Sequence, residues 1–300
     1  MRSGTDFKGV VGATVTPVTQ ALEVDSVKLS GHCAALLDAG CAFVSCFGTT
    51  GEGASFSAAQ KIAALQQMKA AGADMSRHVP GVVAASVDDA ATLYRAYAAL
   101  GCRAALIIPP FYYAPSSEAA VAAFFAAVIE KAGAPDLDIV LYNFPFFSGV
   151  TFTPSLVRAV CDVAGGRVIG IKDSTGNLEG GKALIEAFPE LSIFTGDDRI
   201  LSRMVAAGGA GMIGGLVNLF PADSVTLCAG GVDAAFEARA AHRIEAVDGN
   251  GGLAALKALL AIRYDDETFL RTMPPLAPLD AALQGRLALE LGFAGAEKTA

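Results

Sequence analysis

Residues 168–174 read VIGIKDS, three apolar β-branched residues around a glycine, followed directly by a lysine and an aspartate. Side chains on a strand alternate between its two faces, so a run that is apolar at both parities predicts a strand buried on both sides, as in a parallel sheet covered by helices. Lys172 closes that run. A charged side chain is almost never fully buried without a partner, so Lys172 is either a snorkelling strand-end residue or a cation held for chemistry.

Runs of the same kind recur along the chain: VVGATVTP (10–17), FVSCFGTT (43–50), VPGVVAAS (79–86), AALIIPP (104–110), IVLYNFP (139–145), SIFTGDD (192–198) and GMIGGLVN (211–218). With 168–174 they make eight. Helical patterns lie between them. Leu29, Cys33, Leu36 and Leu37 share one helical face, Ser57 and Gln60 can form a capping box, and Thr153-Pro154 reads as an N-cap followed by Pro at N1. Glu118 opens and Lys131 closes a further helix with the charge each end of the macrodipole prefers. LLDAGCAFVS, AALGCRAALI and MVAAGGAGMI each pass from a helix through glycine into a strand. Such alternation predicts an α/β fold, a closed (β/α)8 TIM barrel, with an open doubly wound sheet as the alternative. Residues 1–222 are assigned to the barrel that carries the site. Residues 223–300 are assigned to its last helix and a C-terminal helical appendage, with helical patterns near 222–248, 252–264 and 278–291.

The 300 residues are 53% hydrophobic and 17% charged, the composition of a compact core. A net charge of -8 offers no basic stripe for nucleic acid or an anionic membrane surface. The six cysteines form no CxxC pair and MRSGTDFKGV carries no apolar leader core, so reduced thiols in a cytoplasm are expected. Met204–Ala222 is uncharged and almost long enough to span a bilayer, but its five glycines, Asn218 and Pro221 predict a helix end, a turn and a short strand.

In a barrel the reacting groups sit at the C-terminal ends of the strands. There the sequence offers Thr14 and Thr16, GTTGEG (48–53), Ser86, PFYY (110–113), Tyr142 and Asn143, Lys172, Asp197-Asp198-Arg199, and Gly214-Gly215. GTTGEG joins a strand to a helix, and its N–H groups and hydroxyls suit a carboxylate or phosphate; the same turn could simply cap a helix. It matches neither a Walker nor a Rossmann loop. None of the three histidines stands at a strand end, so a His-based triad or His-rich metal site lacks parts, and acidic residues are sparse among the ends. What remains is an amine. Flanked by Ile169 and Ile171, Lys172 should lose solvation, which favours its neutral, nucleophilic form. Condensation with a ketone gives an iminium ion that accepts electrons from a neighbouring C–C or C–H bond without a metal or other cofactor. Tyr142 is either a core tyrosine or the group that moves the proton.

With these residues assembled, the sequence resembles the dihydrodipicolinate synthase / N-acetylneuraminate lyase family of Schiff-base pyruvate aldolases. GTTGEG (48–53), PPFYY (109–113), YNFP (142–145) and GIKDSTGNL (170–178) occur in family order, supported by FTGDD (194–198). The resemblance implies Lys172 as Schiff-base lysine, Tyr142 as proton relay, and Thr49 and Thr50, with Gly48, as the seat of the oxo-acid carboxylate. It implies that Tyr112 reaches into a neighbouring subunit's site and that the protein is a homotetramer, a dimer of dimers. Ser174, Gly196, Asp198, Arg199 and Gly214 are expected along the remainder of the substrate.

Two departures bear on the substrate. Where the synthases carry an arginine for the aldehyde's carboxylate, two residues after the YNFP proline, this chain has Phe147. An aromatic ring cannot replace a bidentate carboxylate partner. Where the neuraminate lyases carry serine and GYDE, it has Gly215 and GDDR (196–199). The expected activity is therefore a lyase that joins or cleaves pyruvate and an aldehyde, of the 2-keto-3-deoxy sugar acid aldolase kind. Dehydration of such an acid, dihydrodipicolinate synthesis, neuraminate cleavage and a silent oxo-acid sensor or scaffold are the alternatives.

Overall fold

The computed structural model of the protein describes residues 6–113 and 116–293. Eight strands, β1 Gly9–Ala13, β2 Phe43–Ser45, β3 Gly81–Val82, β4 Ala104–Ile107, β5 Asp138–Asn143, β6 Val168–Asp173, β7 Ser192–Thr195 and β8 Gly211–Gly214, form one parallel sheet in the order β2-β1-β8-β7-β6-β5-β4-β3. The ring closes between its two end strands without a ladder. Val79 N–H donates to Val44 O and Gly81 N–H to Cys46 O, each at 2.8 Å. The (β/α)8 barrel predicted from the apolar runs is the fold observed, and the open sheet is not.

Around the strands lie α1 Ser26–Asp38, α2 Ala58–Ala70, α3 Val87–Leu100, α4 Glu118–Lys131, the single turn α5 Pro145–Ser148, α6 Pro154–Val163, α7 Leu178–Ala187, α8 Leu201–Ala206 and α9 Pro221–Ala229. Three more helices, α10 Ala234–Asp248, α11 Leu253–Tyr264 and α12 Ala281–Glu290, complete the described chain. The capping signals form as read: Ser57 and Gln60 make the reciprocal box, Thr153 accepts from Leu156 N–H ahead of Pro154, and α4 runs from Glu118 to Lys131. The helical pattern over 222–248 divides into two helices. Gly230 and Gly231 take φ values of 78° and 75°, a left-handed conformation that ends α9 before Asp233 caps α10. The uncharged 204–222 run is divided among the end of α8, β8, a turn at Leu216–Asn218 and the start of α9, and among the described residues no helix is long and apolar enough to cross a membrane.

Three apolar clusters follow from the layers. Leu29, Leu65, Tyr94, Phe125, Val157 and Leu184 are among those that pack the helices onto the outside of the barrel. Phe7, Val11, Leu106, Val140, Ile169 and Phe194 help to fill its inside, where Phe7 meets Phe43 and Phe194 with ring centroids 5.0 Å apart. Val15, Leu216, Ile244, Val247, Leu256 and Leu259 belong to the third cluster, which seats the C-terminal helices on the strand-end side of the barrel. The mouth is thereby walled by residues the sequence placed in an appendage.

Candidate active site

Strand pairing sets the centre of the site. β5 and β6 pair Ile139 with Val168 but Val140 with Gly170, so Ile169 is an extra residue in the register. A one-residue slip exchanges the faces of every side chain beyond it. After the slip Tyr142 pairs with Lys172 and both point into the barrel, whereas Asn143 and Asp173 point outward, where Asn143 Nδ2 donates to Asp173 Oδ1 at 2.9 Å. Lys172 Nζ donates to the Tyr142 hydroxyl at 3.2 Å, and that hydroxyl lies 3.0 Å from Thr49 Oγ1. Lys172 is 4% exposed and Tyr142 1%. Gly196 closes the lysine's flank, since a Cβ there would fall 2.0 Å from Ser174 Oγ and 3.1 Å from Lys172 Cε.

These groups form the floor of a cavity of about 680 Å³, lined also by Thr50, Phe144, Phe147, Ser174, Asp198 and Arg199. Such a volume suits a small metabolite. The Thr49–Thr50 turn is bracketed by two non-glycine residues in the left-handed region, Phe47 at φ 60° and Glu52 at φ 53°. Backbone strain of this kind persists only where the surroundings over-determine it. Thr16 Oγ1 donates to Gly51 O at 2.7 Å, and the buried Glu52 carboxylate takes the Lys257 ammonium from α11 and, at 2.6 Å, the Met273 N–H. So held, the turn leaves the N–H groups of Thr49 and Thr50 without an acceptor among the described residues. They are available to an oxygen anion.

The far wall is acidic. Burial, with Asp248 and Asp197 close by, pushes the Asp198 carboxyl up to about 7; the residue is partly open to the cavity, but its Oδ1 is sealed and makes no hydrogen bond among the described residues. Burial also raises Asp248, at the end of α10. Burial works against ionisation of Asp197 as well, but the bidentate Arg199 guanidinium, with Nε 2.8 Å from Oδ1 and Nη2 2.6 Å from Oδ2, holds its carboxyl below the usual range.

The structure thus brings together Lys172, Tyr142, Thr49, Thr50, Ser174, Gly196, Asp198 and Arg199 around one cavity. Gly214 sits behind it, a Cβ there meeting Met212 Cε at 2.0 Å and Asp198 Oδ1 at 3.3 Å, and Gly48 is buried beside the turn. Tyr112 is not gathered with them: it is 77% exposed on its own chain and packs edge-on against Tyr113 at 5.1 Å. Arg199, expected to face substrate, has its guanidinium engaged by Asp197. Asp248, Gly252, Leu253 and Leu256, which also line the cavity, carried no strand-end signal because they come from the helices after the barrel. Phe147 stands at the mouth against Phe144, with centroids 4.9 Å apart.

Comparison with known proteins bears on the fold and the family. An uncharacterized DapA-like lyase of Chloroflexus aurantiacus is 37% identical over 278 residues, covering 91% of this chain and 92% of its own. The crystal structure of dihydrodipicolinate synthase from Agrobacterium tumefaciens superposes with a TM-score of 0.85 at 31% identity, over 93% of this chain and 96% of that one. A variant of the Sulfolobus solfataricus 2-keto-3-deoxygluconate aldolase shares the fold, with a TM-score of 0.82 at 21% identity over 95% and 96% of the two chains. Residues 6–264 match the model of the dihydrodipicolinate synthetase family, and to that family the chain belongs.

Proposed function

We propose that the protein is a class I, Schiff-base lyase that cleaves a 2-keto-3-deoxy sugar acid to pyruvate and an aldehyde, or runs that reaction in reverse. The observation that carries the reading is the hydrogen-bonded line from Lys172 Nζ through the Tyr142 hydroxyl to Thr49 Oγ1 on the cavity floor. The oxo-acid carboxylate sits on the free N–H groups of Thr49 and Thr50. Lys172 Nζ attacks C2, water leaves, and an iminium ion forms. Tyr142 takes the C4-hydroxyl proton as the C3–C4 bond breaks, and the bonding pair moves to the iminium nitrogen. The aldehyde departs, the enamine is protonated at C3, and hydrolysis frees pyruvate and the amine.

Phe147 at the mouth supports a second substrate without a carboxylate there, because a ring offers no bidentate partner for one. Ser174, Asp198 and Asp248 offer hydrogen-bonding groups for hydroxyls along the cavity. Dihydrodipicolinate synthesis is the second reading, favoured by the 31% identity to the Agrobacterium synthase. We also read the enzyme as a homotetramer in which Tyr112, exposed on its own chain, completes a neighbour's relay, and its six free thiols as those of a cytoplasmic protein.

Borohydride reduction in the presence of pyruvate tests the imine: a covalent mass gain on Lys172 is expected, and a silent sensor or scaffold gives none. Keto-deoxy acids assayed for pyruvate release then separate cleavage from dehydration. Efficient synthase activity with native Phe147 overturns the substrate assignment, whereas appearance of that activity only in Phe147→Arg supports it.

A further inference from the structure

Among the described residues the barrel has one strand junction without a ladder, between β2 and β3, and the turn that follows β2 and carries Thr49 and Thr50 comes against the start of β3 there. Backbones come unusually close there: a Cβ on Gly53 would fall 1.8 Å from Phe47 O, and one on Gly81 2.4 Å from the same atom. Into this seam α2 sends Lys61, whose side chain is fully enclosed, the residue being 2% exposed. Its Nζ donates to Gly53 O at 2.8 Å, at the end of the turn, and to Val83 O at 3.2 Å, just past β3.

The placement is costly on two counts. No carboxylate lies within 4 Å of the Lys61 ammonium among the described residues, so the hydrogen bonds of the buried cation go to carbonyl oxygens and Asp89 of α3 acts only from farther off. Lys61 is also the fourth residue of α2, where a cation opposes the helix macrodipole. Burial pulls its ammonium down to about 8, with Asp89 of α3 acting in the opposite sense. An apolar residue would fill the same space without either cost, so what the cation contributes is its grip on the two carbonyls.

We infer that Lys61 is a positioning residue for oxo-acid binding: by tying Gly53 O to Val83 O across the unladdered seam, it fixes the Thr49–Thr50 turn in the geometry that receives the carboxylate and meets Tyr142. The inference rests on the imine reading above. It assigns Lys61 no contact with substrate.

Lys61→Met keeps the length and volume and removes both bonds. In pyruvate–borohydride trapping, the pyruvate concentration giving half-maximal adduct on Lys172 is expected to rise about tenfold, in line with the loss of charge-assisted hydrogen bonds, while trapping at saturating pyruvate changes little. Amide exchange over 47–55 in the free protein should quicken in step. Lys61→Gln, which is shorter but keeps an N–H donor, should fall between the two and stands in if the methionine variant does not fold. A variant that is less stable to urea yet has unchanged half-saturation and unchanged exchange over 47–55 overturns the inference, since a merely structural lysine behaves so. Absence of adduct in the native protein overturns the imine reading instead, and the two failures are told apart by that control.

Discussion

Lys172 reaches its place as a single residue held from several sides: the slip at Ile169 turns it inward, Gly196 leaves its stem room, and the Tyr142 hydroxyl accepts its hydrogen bond. Removing the amine and removing the relay should therefore have different signatures. Lys172→Ala is expected to abolish the pyruvate–borohydride adduct in intact-mass spectra. Tyr142→Phe keeps the amine in the same packed surroundings, so the adduct should still form while turnover falls roughly 10²–10⁴-fold, the usual worth of a positioned acid–base group. Equal loss of adduct in both variants would place Tyr142 in imine formation itself and not only in the later cleavage, whereas unchanged turnover in Tyr142→Phe would remove it from proton transfer. The types of these residues were legible in the sequence because an apolar strand has few reasons to end in lysine. That Arg199 would spend its guanidinium on Asp197 was not, because the partner is chosen by the bend after β7 and not by spacing along a regular element.

At the scale of elements, buried polar groups tie the loops above the barrel to the C-terminal helices. Lys257 on α11 and Glu52 in the turn are both fully enclosed, and breaking one partner strands the other as an uncompensated charge. Lys257→Met should cost about 3–5 kcal/mol, read as a fall in the urea midpoint at unchanged slope. His32 on α1 is a second tie: its Nε2 lies 2.7 Å from Asn218 Oδ1 and its Nδ1 2.9 Å from the Tyr264 hydroxyl. Burial holds His32 down to about 4, so the imidazole stays neutral in the fold while the unfolded chain takes up its proton near 6.5. The unfolded state then binds more protons between those values, and stability falls as pH drops through that window, by an amount on the order of 3 kcal/mol; above it this group contributes no slope. Urea midpoints at pH 7.5 and pH 4.5 should differ less in His32→Gln than in the native protein, and an equal difference would assign the acid sensitivity to other groups.

For the whole molecule, Tyr112 and Tyr113, which follow β4, and Phe146, which follows β5, are all largely open, and exposed aromatic surface of this kind marks association. Light scattering is expected to give a mass near four chains, and Tyr112→Phe should lower turnover without changing that mass; a monomer with full activity would free Tyr112 of any role. The apolar runs and their caps pointed to the barrel, because burial on both faces is written locally in every strand and admits few arrangements, and the closure between β2 and β3 excluded the open sheet. They also supplied the amine, the phenol and the hydroxyl-bearing turn. Which way the lysine points, the acidic wall that includes Asp248 and the clamping of the turn by Lys257 were decided only in three dimensions. A one-residue slip in strand register, and contacts between segments some two hundred residues apart, leave no periodic trace in the chain.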